Sequence, residues 1–265
     1  MGTLRGIQIP ELSKLLYKMI KTENHAIDSY ESAGRDRTLV ASQLADWGES
    51  TGDPAISDLS DKLGVLLAEI GEQEDVFAHM LEEARNLLKH IRNTEGSVQP
   101  AREHKAKIID EIQKQKQRDP EGPKVTTLEQ ELVRAEARAL VAEAQLTNMT
   151  RQKFKESFDM HLAATIERCE KQIVCARHGR RLLSLLDDTP LVPGETRGQW
   201  YQSEVGRQII DDAELELRGW EPTSIEPIPM ASGSSVNRGR GHINGDGING
   251  ENDDGSTYQK DEIEV

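Results

Sequence analysis

The sequence predicts an all-α fold, an elongated coiled-coil bundle of long amphipathic helices. Three observations lead there. Apolar residues recur in alternating steps of three and four over long stretches, the mark of a sustained heptad. Hydrophobic residues make up 35% of the 265-residue chain and aromatics only 4%, little for a thick globular core. Charged residues reach 30%, which suits helices that bury one stripe and solvate the rest.

Residues 1–9 form a short lead-in. Pro10 starts the first helix, with Glu11 favourable in its first turn. That helix ends near Trp47, before Gly48 and the run Ser50-Thr51-Gly52-Asp53-Pro54. The second helix starts near Pro54–Ser57. Its seam is Ile56, Leu59, Leu63, Leu66, Ile70, Gln73, Phe77, Met80, Ala84, Leu87 and Ile91. Gln73 is the one polar member. Gly96 to Pro100 predicts a break or kink, followed by a charged helical piece from Ala101 to about Arg118.

Asp119 to Pro123 is a turn. The longest helix then runs from about Val125 to Leu186. Its first seam is Val125, Leu128, Leu132, Ala135, Ala139, Ala142, Leu146 and Met149. Beyond Met149 the apolar residues change phase to Phe154, Phe158, Leu162, Ile166, Cys169 and Ile173. Such a change reads as a stutter. Asp187 to Pro190 stops the helix, and a last one spans about Trp200 to Leu217. Residues 221–265 are rich in Gly, Asn, Asp and Ser and are expected to be a disordered tail. The helical domain is thus 10–220. Its heptads leave a single chain with an uncovered seam, which predicts a homodimer.

The formal net charge of −14 argues against nucleic acid as a partner. Cys169 and Cys175, six apart on a helix, are expected to be reduced. No run of roughly 20 apolar residues spans a membrane, and no secretory signal follows Met1. Metal-ligand spacings, phosphate-binding loops and nucleophile–base motifs are missing from the sequence, so neither an enzyme nor a cofactor is expected.

A local basic face survives an acidic background, because charges more than about 8 Å apart are largely screened at physiological salt. Arg85, Lys89 and Arg92 stand at i, i+4 and i+7 and form one stripe about 100° around the helix from the seam. No acid occupies the three positions, and the stripe is expected to face outward. Lys14, Lys18 and Lys21 repeat the spacing on the first helix. Two readings stay open from spacing alone: a surface-binding face, or an ordinary solvated helix.

Several runs carry a family resemblance. They include Asp61-Lys62-Leu63-Gly64-Val65-Leu66, Glu95-Gly96-Ser97-Val98-Gln99-Pro100 and Leu128-Glu129-Gln130-Glu131-Leu132-Val133-Arg134-Ala135-Glu136-Ala137. Leu140-Val141-Ala142-Glu143-Ala144-Gln145-Leu146, Leu186-Asp187-Asp188-Thr189-Pro190 and Pro193-Gly194-Glu195-Thr196-Arg197 continue the pattern. Over about residues 10–220 the chain resembles the fungal eisosome core family, the sphingolipid long-chain-base-responsive proteins. The resemblance implies an antiparallel BAR-type bundle that dimerises. It implies assembly into lattices or filaments on the cytoplasmic face of the plasma membrane, membrane curvature, and anionic lipids, phosphoinositides above all, as partners. Eisosome paralogues are implied as co-assembling partners.

The family's lipid-facing residues on its second helix fall on Arg85, Lys89 and Arg92. Those on its first helix fall on Lys21, Asn24 and Asp28, of which only Lys21 keeps its charge; Lys18 adds a cation where the family has a neutral residue. Family members also carry a basic and aromatic segment before the match at Pro10, where nine residues stand here. The runner-up expectation is a cytosolic helical adaptor or coiled-coil structural protein that joins fuller paralogues without touching lipid.

Overall fold

The computed structural model describes residues 11–222, with side chains from residue 14 onward. The expected lead-in 1–9 and nearly all of the expected tail, 223–265, lie outside the described residues. Four helices account for the described chain: α1 (Glu11–Ser50), α2 (Pro54–Arg118), α3 (Pro123–Leu183) and α4 (Ser203–Arg218). The all-α expectation holds, with no strand among the described residues.

Short turns force neighbouring helices to run antiparallel. Gly52 adopts φ 70° after α1, and the Asp53 carboxylate then caps α2 by accepting from the backbone N–H groups of Ala55 (2.8 Å) and Ile56 (3.3 Å). Pro54 and Pro123 open their helices at N1, where a missing N–H costs nothing. At α2's end the Asp119 N–H donates to the Gln115 carbonyl at 2.9 Å.

Helix α2 is the middle of the bundle, packing α1 on one side and α3 on the other. It therefore has two seams. The α3-facing seam is the one expected: Leu59, Leu66, Phe77, Ala84 and Ile91 are buried. The second, facing α1, steps through Gly71, Glu74, Ala78, Leu81, Arg85, Leu88 and Glu95, all buried. Sequence periodicity missed it, because its members are small or polar as often as apolar.

Glu74 shows how such a seam stays satisfied. Its carboxylate accepts from Arg168 (3.2 Å) and Gln172 (2.9 Å) of α3, and Arg37 of α1 stands 3.6 Å away. The Arg168 guanidinium also lies 4.1 Å from the centre of the Phe77 ring, a cation–π contact.

Two expectations are corrected here. The first is the break at 96–100: α2 is one helix of 65 residues, about 100 Å at 1.5 Å per residue. Pro100 and Gly96 are exposed, so the carbonyl left without its N–H partner faces water. Meanwhile Val98, Ile108 and Ile112 keep the buried side on α3. The second is the set of seam residues expected beyond the stutter in α3. The seam facing α2 runs on from Leu146 through Ser157, Ala164, Cys175 and Leu182, all buried, in steps of 11, 7, 11 and 7, so the heptad is interrupted but through other residues than those expected. Ser157 even donates its hydroxyl to the Ala84 carbonyl at 2.8 Å. Phe154, Leu162 and Ile173 instead stand 57%, 59% and 56% exposed. They belong to another face of α3.

Helix α4 folds back on α3. Ile209 and Ala213 bury against Leu59, Leu66 and Leu182. The segment leading to it is latched by Asp58 of α2, which accepts from Trp200 Nε1 (3.0 Å) and Ser203 Oγ (2.7 Å) and pairs with Lys62.

Candidate membrane-facing site

The level of the site is set by a small cluster in which Ile20 of α1 packs on Leu88 and Ile91 of α2, with Phe158 of α3 against them. Around that cluster stand the six basic residues singled out from the sequence. Lys14, Lys18 and Lys21 are exposed on α1. Lys89 and Arg92 are half-buried on α2.

Arg85 departs from the expected outward stripe. It is buried, at 8% exposure, on the α1-facing seam between Leu81 and Leu88. Its Nη1 donates to Asn24 Oδ1 of α1 at 2.7 Å, and its Nη2 pairs with Glu82. The reason is register: residues 78, 81, 85 and 88 step by three and four, and that rhythm faces α1. Reading the stripe against one seam alone put Arg85 outside.

Its two companions differ. Lys89 Nζ donates to Asn86 Oδ1 at 3.0 Å, and Arg92 Nη2 donates to Asn93 Oδ1 at 3.0 Å. Both partners are neutral amides. Among the described residues, Lys18, Lys21, Lys89 and Arg92 make no ion pair. Their charge is not cancelled at contact distance.

The Arg85–Asn24 bond also fixes which sides of the two helices coincide. Lys21 and Asp28 lie three residues before and four after Asn24; Lys89 lies four after Arg85 and Arg92 seven after it. Residues so spaced share a helix face, so all of them flank the same side of the α1–α2 hairpin. The face therefore holds Lys21, Lys89 and Arg92 against exposed Asp28, while Arg85 and Glu82 neutralise each other.

A second surface feature is apolar. On α3, Val133, Leu140, Leu162, Ile166 and Ile173 are exposed on the side turned away from the α2 seam. On α1, Leu39, Val40 and Trp47 are exposed as well. Among the described residues no group of His, Cys, Asp and Glu could hold a metal, and no helix is long and apolar enough to cross a membrane. Cys169 is exposed and Cys175 buried, both free; burial pushes the Cys175 thiol up to about 11, with Glu69 adding to the shift.

Residues 3–223 match the family model of the eisosome component PIL1. The chain is 45% identical over 225 residues to the probable sphingolipid long chain base-responsive protein pil2 of Schizosaccharomyces pombe, covering 85% of this chain and 58% of that protein. It is 46% identical to the sphingolipid long chain base-responsive protein PIL1 of Saccharomyces cerevisiae, covering 84% of this chain and 66% of that one. A more distant relative is the meiotic expression up-regulated protein 14 of Schizosaccharomyces pombe, 34% identical, covering 78% of this chain and 63% of that protein. The chain thus spans a little under two thirds of the length of the relatives it matches. With a match over nearly all of its helical residues, the chain belongs to the eisosome component PIL1 family.

Proposed function

We propose that this protein is a non-catalytic scaffold of eisosome-type assemblies, peripheral on the cytoplasmic face of the plasma membrane. It dimerises as a BAR-type module, and its basic face contacts phosphoinositides and other anionic lipids. The observation that carries the reading is the set of basic residues on one side of the α1–α2 hairpin without carboxylate partners: Lys21, Lys89 and Arg92, with Lys18 beside them. A cation near an anionic membrane contributes about 1 kcal/mol, and a dimer doubles each contribution. Lys14 extends the same lysine spacing toward the N-terminus of α1. The exposed apolar residues of α3 support self-association, since apolar surface of that extent calls for a partner. Co-assembly with paralogues of the family and curving of the bilayer follow from such a dimer lying along a membrane.

A second reading has its own observation. Asn24 and Asp28 stand where the resemblance places basic residues, and Arg85 is paired and buried. A weakened face favours an adaptor that joins assemblies built by fuller relatives. Co-sedimentation with vesicles containing phosphatidylinositol 4,5-bisphosphate, set beside neutral vesicles, separates the two. Binding only to the anionic vesicles supports the scaffold; no binding to either at low salt leaves the adaptor.

A further inference from the structure

We propose that Arg85 is a positioning residue, which holds the α1 and α2 parts of the basic face together, and not a residue that touches lipid. The inference rests on the membrane-binding reading above and refines it. A lipid-contacting cation must be able to leave its partners and reach a phosphate. Arg85 stands instead in the α1-facing seam, buried between Leu81 and Leu88. One arm of its guanidinium crosses to Asn24 of α1 at 2.7 Å, and the other pairs with Glu82 on its own helix. The third nitrogen, Nε, is buried and has no partner, so the group sits in a closed space rather than in a solvated cleft. Pairing with Glu82 also removes the net charge that would attract an anionic surface.

The geometry gives the bond a job. Lys21 is on α1, and Lys89 and Arg92 are on α2, so the spacing of these cations depends on how the two helices register. Arg85–Asn24 is a hydrogen bond between those helices at this level. Below it the interface is the small apolar cluster of Ile20, Leu88 and Ile91. A planar guanidinium with fixed donor directions selects one register where apolar contact tolerates several.

The test compares four variants in vesicle binding over a range of salt: Arg85→Gln, Asn24→Ala, the double variant, and Lys89→Gln. Circular dichroism and mass in solution report whether each keeps its fold and assembly state. If Arg85 positions, Arg85→Gln and Asn24→Ala both weaken binding, the double variant is no worse than the stronger single, and the salt dependence stays that of the wild type. Lys89→Gln weakens binding about fivefold for each copy that meets lipid and flattens the salt dependence. The neutral change at Asn24 is the discriminating one, because it removes no charge. An Arg85→Gln that flattens the salt dependence like Lys89→Gln, with Asn24→Ala without effect, overturns the proposal, as does an Arg85→Gln that binds like wild type. Wild-type protein that fails to bind anionic vesicles at any salt overturns the membrane reading itself.

Discussion

Gly34 of α1 and Gly71 of α2 constrain each other reciprocally: a Cβ on either would lie 2.9 Å from the other's carbonyl oxygen. The same interface continues with Gly64 against the Ala41 carbonyl, at 3.0 Å, and Gly48 against Ser60. These small residues let the α1 and α2 backbones approach closely, with side chains packed only to the sides.

Gly34→Ala is therefore expected to destabilise the fold by about 1–2 kcal/mol, since the obstacle is backbone and cannot swing aside. Gly96→Ala serves as the opposite case. Gly96 lies within the same long α2, and nothing stands within 4 Å of its missing Cβ. There the change should stabilise by up to about 1 kcal/mol through helix propensity alone. Urea unfolding of the two variants checks both signs.

The exposed apolar face of α3 predicts self-association. Leu162 and Ile173 are each more than half exposed. Burying the exposed half of side chains of this size contributes about 1–2 kcal/mol apiece, and a symmetric dimer counts each twice. Leu162→Glu with Ile173→Glu should convert a dimer to a monomer at micromolar concentration while the helical signal of each chain persists. Sedimentation equilibrium reads the mass. A variant that keeps the wild-type mass would place the interface elsewhere.

The Asp58 latch predicts a response to acid. Burial pushes its carboxyl upward, but hydrogen bonds from Lys62, Ser203 and Trp200 outweigh that and hold it below its ordinary value. A carboxyl lowered in the folded state contributes stability that is fully present above the unfolded value near pH 4. That contribution is lost as pH falls through the lower folded value. Trp200 fluorescence should therefore change at a pH below the usual carboxylate range, before the helical signal collapses. In Asp58→Asn that early step should vanish, leaving one transition.

Much of the helical plan was legible because heptad spacing and Gly/Pro punctuation are local signals. Helices α1, α3 and α4 and the two ends of α2 stand close to their expected bounds, as do the turns at Gly52 and Asp119. What periodicity could not tell was which partner each face meets. Phe154, Leu162 and Ile173 looked like a seam because they are large and apolar, yet Ser157, Ala164 and Cys175 meet α2. Small residues pack closely without raising a hydrophobic signal. Arg85 was misplaced for the same reason: a middle helix has two seams, and only one of them is rich in leucine and phenylalanine. Pro100 marked a break by its local preference, and the packing of Val98, Ile108 and Ile112 overrode it. Lys89 and Arg92 were readable as charges; that their partners are the amides of Asn86 and Asn93 required the fold.

The central claim is that a basic face on the α1–α2 hairpin holds this scaffold to anionic membrane. Flotation of the wild type and of Lys89→Glu with Arg92→Glu, on vesicles containing phosphatidylinositol 4,5-bisphosphate, tests it most directly. Each reversal exchanges about 1 kcal/mol of attraction for a similar repulsion. The wild type should float with the vesicles at low salt and release as salt rises, while the double variant stays in solution with its helices and assembly mass unchanged. A double variant that floats as well as the wild type would show these residues to be an ordinary solvated helix face and would contradict the account.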